Sequence, residues 1–322
     1  MMSEETDLSD VSRRYEEIRS HINQYLVGKD QLIELMAIAL LSEGHILIQG
    51  VPGTAKTTIA KAFAKILGYT FSRVQCAVDT QPADILGIRV YDQATGEFVL
   101  RKGPIFSNIL LIDELNRLNP RTQSAFIEVM SERQVTIEGE THPLPSPFFV
   151  MATQNPYEFE GTFPLIEAQK DRFMYSFISE YLNSDDELEV LRRLDSGRLN
   201  WDTYSAGLDK LTHDADIVRL RQEIESVHIE ERVSRYIRDL VIATRQNGDI
   251  GLGASTRASI AFYRGSKVVA ALKGRTFVTP DDVREIAFNV LHHRLILRRE
   301  AEIAGITLDA VIRGIIGSVE VP

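Results

Sequence analysis

The spacing of apolar residues changes rhythm repeatedly along the first half of the chain. Ile18, Ile22, Tyr25 and Leu26 recur at helical intervals, and Gly28 stops that helix. A second helix is predicted over about 30–42. Residues 45–49 then form a short apolar run, of a length that suits a buried strand, and a glycine-rich loop follows. Over 56–67, Ile59, Phe63, Ile66 and Leu67 fall on one helical face, with Gly68 as the stop. Residues 69–75 are rich in β-formers, 108–112 and 148–152 read as buried strands, and 120–133 is an amphipathic helix between them. Strands that alternate with helices predict an α/β sheet, mostly parallel. Two segments, 89–100 and 135–144, have polar tips flanked by β-formers and read as hairpins, either decorating the sheet or facing the pore of a ring.

The second half has a different rhythm. From about 185 onward the pattern is helical, with helices predicted over 216–226, 231–245, 256–272 and 280–295. The last opens with Thr279 as N-cap, Pro280 in the first turn, and Asp281 and Asp282 beside the positive helix end. The polar stretch 195–203 reads as a connection inside this helical part. The predicted division is 1–183 for an α/β core and 184–322 for an all-helical lid, and a length of 322 residues fits two domains.

Composition narrows the class. A hydrophobic fraction of 44% and a charged fraction of 25% are those of a soluble globular protein. No apolar run approaches a membrane span, and residues 1–10 are acidic and lack the apolar centre of a secretory signal. The single cysteine, Cys76, reads as a packing residue and points to a reducing cytoplasm. A net charge of −10 argues against bulk affinity for nucleic acid. The histidines show no metal-ligand spacing; His292 and His293 stand near a helix end with Arg294, Arg298 and Arg299, where positive charge suits the dipole.

The candidate chemistry begins at Gly50-Val51-Pro52-Gly53-Thr54-Ala55-Lys56-Thr57-Thr58, between an apolar strand and an amphipathic helix. This is the context of a phosphate-binding loop. Glycines let the backbone close around phosphate oxygens, and the helix N-terminus presents partial positive charge to them. Lys56 is placed to reach the β- and γ-phosphates of ATP, and Thr57 to hold Mg²⁺. Ala55 stands where the general pattern has glycine, and is small enough provided the backbone there is helical. About 57 residues after Lys56, the apolar strand 108–112 delivers Asp113 and Glu114 at its C-terminal end. Asp113 is the candidate for the Mg²⁺ shell and Glu114 for polarising the attacking water; an ordinary acidic helix cap is the plainer reading.

These residues resemble the MoxR family of AAA+ ATPases. Leu111-Ile112-Asp113-Glu114-Leu115-Asn116-Arg117 is similar to its Walker B region, followed in matching order by 120–125, Glu128 and Met130. Residues 152–156 resemble its sensor 1 strand, 161–173 its arginine-finger segment and 253–258 its sensor 2; Ile166 and Thr256 replace the usual prolines. The resemblance runs from Tyr25 to Leu295. It implies a P-loop AAA+ core with a five-stranded parallel sheet, a helix-2 insert at about 82–103 and an all-helical lid. It also implies that Asn155 hydrogen-bonds the γ-phosphate or the attacking water, or else only ends its strand before Pro156. By the same resemblance Arg172 reaches a neighbouring subunit's site, against the alternative of a surface salt bridge with Asp171. Arg257 projects from the lid onto its own subunit's γ-phosphate, with Thr256 capping its helix. Arg117 contacts the adjacent subunit or stays beside Glu114. The implied activity is Mg²⁺-dependent ATP hydrolysis by a homo-oligomeric ring, expected to be a hexamer, that remodels a protein client with a partner carrying a von Willebrand factor A domain. The rivals are a helicase-like nucleic-acid motor, disfavoured by the acidic hairpin tip at Asp92 and Glu97, and a non-catalytic switch or scaffold, disfavoured by Glu114, Asn155 and Arg172 together.

Overall fold

The computed structural model describes residues 8–51, 53–156, 158, 160–208 and 217–322. In chain order the helices are α1 (Ser9–Tyr25), α2 (Asp30–Leu41), α3 (Lys56–Ile66), α4 (Pro82–Leu86), α5 (Pro120–Glu132), α6 (Glu167–Lys170), α7 (Ser184–Asp195), α8 (Trp201–Leu208), α9 (Ile217–Glu225), α10 (Glu231–Gln246), α11 (Thr256–Leu272), α12 (Pro280–Glu285), α13 (Ala287–Leu291), α14 (Arg299–Ile303) and α15 (Leu308–Ser318). The strands are β1 (Ile46–Gly50), β2 (Phe71–Gln75), β3 (Gly87–Asp92), β4 (Glu97–Lys102), β5 (Ile109–Asp113), β6 (Gln134–Ile137), β7 (Glu140–Pro143), β8 (Phe149–Gln154), β9 (Tyr175–Ser179), β10 (Ile250–Leu252) and β11 (Ile296–Leu297).

A five-stranded sheet in the order β2-β5-β8-β1-β9, parallel at every pairing, forms the centre. Its inner strands are apolar at successive residues because both faces are covered. Ile46, Ile48, Ile109, Leu111, Phe149 and Met151 face α3, where Ile59 and Phe63 meet them. Leu47, Leu110, Ile112, Val150 and Ala152 face the other way, onto Phe126, Ile127 and Met130 of α5. The two predicted hairpins are present as β3–β4 and β6–β7, and an Arg89–Glu140 ion pair of 2.9 Å joins them. The first leaves Tyr91 and Phe98 more than half exposed, at 56% and 58%.

Between β1 and α3 the chain passes through Ala55 at φ 61°, ψ 21°. This departs from the right-handed helical backbone expected for Ala55. The left-handed conformation explains why the general pattern has glycine there, since a Cβ in this region costs roughly 1–2 kcal/mol.

The helical half carries four further departures. The helix expected over 280–295 is two, α12 and α13, broken at Ile286 (φ −94°, ψ −1°), whose buried side chain lies over Gly265 of α11. Ser255, not Thr256, caps α11, its hydroxyl accepting from the Arg257 amide at 3.1 Å. The lid also holds the short antiparallel pair β10–β11 among its helices. Asp282, expected beside a helix dipole, is fully buried and paired with Arg275 at 2.5 Å, while Thr279 donates to it at 2.9 Å. One apolar cluster runs from α1, α2 and α3 into α10, α11 and α13. At the junction the Tyr175 hydroxyl bonds Ser42 (3.1 Å) and the Ala261 carbonyl (3.3 Å), and a Cβ on Gly265 would come within 2.4 Å of it.

His45, just before β1, is buried as the neutral imidazole. Its Nε2 lies 3.2 Å from the Met130 carbonyl, as donor, and its Nδ1 accepts from the Val150 amide at 3.1 Å. Burial pushes its pKa down to about 4. The unfolded chain therefore takes up a proton near pH 6.5 that the folded chain refuses until about pH 4. We expect His45 to leave stability untouched above pH 6.5 and to remove of order 3 kcal/mol as the pH falls from there to 4. In urea unfolding across this range His45→Leu should show a shallower fall than the parent; parallel slopes would refute the assignment. We also expect Ala55→Gly to hold or raise the urea midpoint, by up to about 1 kcal/mol, because relief of the left-handed alanine exceeds the added chain entropy. A clear loss of stability would contradict strain at this position.

Candidate nucleotide site

The loop after β1 is shaped by close backbone approaches. Gly50 (φ 144°) presses on β9, where a Cβ would stand 2.1 Å from the Ser179 carbonyl oxygen. At Gly53 (φ 79°) a Cβ would meet nothing within 4 Å, so this turn opens onto free space. Pro52 lies outside the described residues. Thr54 is held by the Ser179 hydroxyl, which donates to it at 2.9 Å. Lys56, half-buried at the start of α3, donates to the Val51 carbonyl at 2.8 Å and so folds back over its own loop. Burial lowers its pKa, and the Asp113 carboxylate pulls the other way. Thr57 and Thr58 complete the first turn of α3. Beside Gly50 and Val51 a cleft of about 750 Å³ opens toward Tyr181 and His292.

The acids arrive on the neighbouring strand ends. Period-two alternation puts Asp113 on the same sheet face as Ile109 and Leu111, the face covered by α3. Its Oδ1 accepts from the Thr153 hydroxyl at 2.7 Å, and its Oδ2 accepts from Arg73 at 2.6 and 3.2 Å. Glu114 leaves the strand at φ 59°, ψ 52°, a left-handed conformation of the kind that concentrates at functional sites. Its amide donates to the Thr153 hydroxyl at 2.8 Å, and its carboxylate accepts from Gln75 at 3.0 Å and pairs with Arg117 at 2.8 Å. Arg117 also pairs with Glu158, so within the chain it stays beside Glu114. Asn155 follows directly on β8, and its carbonyl accepts from Asn116 at 3.4 Å.

The predicted arginines lie elsewhere. Tyr175 pairs with Ile46 and Ser179 with Gly50, so β9 begins at the edge of the sheet opposite the phosphate loop. Five residues at about 3.3 Å each separate the two edges by roughly 13–16 Å. Arg172 precedes β9 and is exposed at that far edge. The alternative salt bridge between Arg172 and Asp171 is not formed, because Asp171 is occupied: Arg294 at 2.9 Å, Arg257 at 3.3 Å and the Ser255 hydroxyl at 2.9 Å all reach it. Arg257 therefore stands beside Arg172 and not over its own phosphate loop, which corrects the expectation that it faces the γ-phosphate of its own subunit. The cause is the capped start of α11, which Asp171 holds through both Ser255 and Arg257. Arg294, expected near a helix end where positive charge suits the dipole, is buried and also donates to the carbonyls of Met174 and Phe173 at 3.0 and 2.7 Å.

Arg73 and Gln75 are site residues that the motifs did not disclose, and Thr153, though within the 152–156 segment, was given no role there. The only trace of Arg73 and Gln75 in the sequence is alternation: they are two polar residues on one face of β2. For a metal, Thr57 and Asp113 offer the oxygen donors that a small hard cation takes. Among the described residues no three His, Cys, Asp or Glu side chains cluster, so phosphate oxygens would have to supply much of its shell.

Residues 45–175 match the ATPase family associated with various cellular activities (AAA), and 242–315 match an AAA lid domain. An uncharacterised Bacillus subtilis protein, YeaC, is 41% identical over 302 residues, 94% of this chain and 93% of its own. The Mycobacterium tuberculosis chaperone MoxR1 is 39% identical over 310 residues, 94% of this chain and 80% of its own. The crystal structure of a candidate ATPase from Cytophaga hutchinsonii superposes with a TM-score of 0.89 at 40% identity, covering 98% of this chain and 97% of that one. With the phosphate loop, paired acids and helical lid in their places, the chain belongs to the MoxR family of AAA+ ATPases.

Proposed function

We propose that the chain hydrolyses ATP at sites shared between neighbouring subunits of a ring, expected to be hexameric, and uses the cycle to remodel a protein client in the cytoplasm. One observation carries this reading. Each subunit has its phosphate loop and acids at one edge of the sheet and its Arg172–Arg257 pair at the other, farther apart than either side chain extends. The arginines can meet a triphosphate only on another copy. Arg257 thus joins Arg172 in acting on the neighbour.

Within a site, the amides at the start of α3 and the Lys56 ammonium bind the phosphates, for which Lys56 leaves the Val51 carbonyl. The Thr57 hydroxyl and the Asp113 carboxylate would hold Mg²⁺, which would supply positive charge to offset that of the phosphates. Glu114 turns from Gln75 and Arg117 to orient the attacking water and draw on its proton. Asn155, at the end of the adjacent strand, positions that water or the γ-phosphate. Arg172 and Arg257 of the neighbour stabilise the charge spreading over the transferred phosphoryl group. Ribose and base fit the cleft of about 670 Å³ that Gly28, Lys29, Tyr181 and Asp186 wall. The exposed Tyr91 and Phe98 hairpin offers a contact for the client, and a von Willebrand factor A domain protein is the expected partner. No helix among the described residues is long and apolar enough to cross a membrane.

Lys56→Ala should abolish nucleotide binding in a fluorescent-nucleotide titration; unchanged binding would reject the site. Arg172→Ala should bind normally and turn over on the order of a thousandfold more slowly. Mixed rings isolated with two tags decide where the arginines act. Glu114→Gln subunits should restore turnover to Arg172→Ala and to Arg257→Ala subunits alike. Restoration of the first but not the second would return Arg257 to its own subunit's site.

A further inference from the structure

We infer that Arg73 is a built-in competitor for the metal: it occupies the metal-facing carboxylate oxygen of Asp113 and must be displaced when the cation arrives with nucleotide. This rests on the assignment of Asp113 to the metal shell.

The strand pairing brings the two together. β2 is the edge strand and pairs only with β5, with Arg73 opposite Leu111 and Gln75 opposite Asp113. Alternation turns Arg73 and Gln75 toward the face on which Asp113 and α3 lie. From there the guanidinium runs along the sheet and gives both Nε and a terminal nitrogen to one oxygen, Asp113 Oδ2, at 3.2 and 2.6 Å. The same terminal nitrogen donates to Gln75 Oε1 at 2.6 Å. The other carboxylate oxygen, Oδ1, is already taken by the Thr153 hydroxyl. Oδ2 is therefore the oxygen left to face a cation, and a cation already sits on it. Asp113 is 18% exposed and Arg73 43%, so the acid is half-sheltered while its partner can swing into solvent.

Two positive charges on Oδ2 at contact distance repel each other, so Arg73 and the metal compete for it. An ion pair this exposed contributes only modestly, which makes the competition reversible: removal of Arg73 should change metal binding by about twofold to fivefold. Its consequence is an order of binding. Nucleotide alone faces a neutralised Asp113, and only the metal–nucleotide complex releases the arginine.

The test titrates Mg²⁺ against a fixed concentration of fluorescent ATP analogue and reads the half-saturating Mg²⁺ concentration of the full chain. Arg73→Gln should lower it by about twofold to fivefold, Arg73→Lys should stay near the parent, and binding of the analogue in EDTA should be no tighter in Arg73→Gln than in the parent. Arg117→Gln removes a nearby positive charge that pairs with Glu114 instead of Asp113, and should shift the midpoint far less. A midpoint unchanged or raised in Arg73→Gln, or an equal fall in Arg117→Gln, would overturn the proposal. If the parent binds no analogue under any condition, the site reading fails; if it binds and only the Mg²⁺ midpoint ignores Arg73, that reading stands and this one falls.

Discussion

The structure depends on one constraint: the inner strands of a parallel sheet covered on both faces have no room for polar side chains except at their ends. β1, β5 and β8 are apolar from their first residues, and their polar residues come where they leave the sheet. The constraint fixes where chemistry can occur. Gly50, Asp113 and Gln154 end adjacent strands in register, so the phosphate loop, the paired acids and Asn155 converge without any of them being placed by a loop of its own. The hydroxyl of Thr153 ties two of these ends together, accepting from the Glu114 amide while donating to Asp113.

The opposite edge of the sheet is organised around a single carboxylate. Asp171 takes Arg294, Arg257 and Ser255, which fastens the start of α11 to the entrance of β9. A buried arginine is costly unless paired, and Arg294 is satisfied by Asp171 and three backbone carbonyls. With Asp171 saturated, Arg172 is left exposed. The attachment of the lid and the presentation of the arginines are thus consequences of the same contacts.

The lid is joined to the sheet by shared core as well as by charge. α2 packs against both α1 and α11, which also touch each other, and the apolar cluster continues through them. Tyr175 and Gly265 mark a close approach, where a Cβ on Gly265 of α11 would clash with the Tyr175 hydroxyl. Movement of the lid relative to β9 would have to break this packing.

Much of this was legible in the chain itself. Local patterns determined the alternation of strands and helices, the phosphate loop, the acids after 108–112 and both hairpins, because each depends on residues close in sequence and on the burial of neighbouring positions. Tertiary contact decided the rest. Ala55 is left-handed because the loop must turn onto α3, and the helix over 280–295 breaks where Ile286 seats against Gly265. Arg73 and Gln75 belong to the site only through pairing of β2 with β5. Arg257 left its expected place because Asp171, far away in sequence, holds the α11 start at the other edge of the sheet. Sequence specifies which groups carry charge; the register and packing of distant strands and helices specify which charges meet.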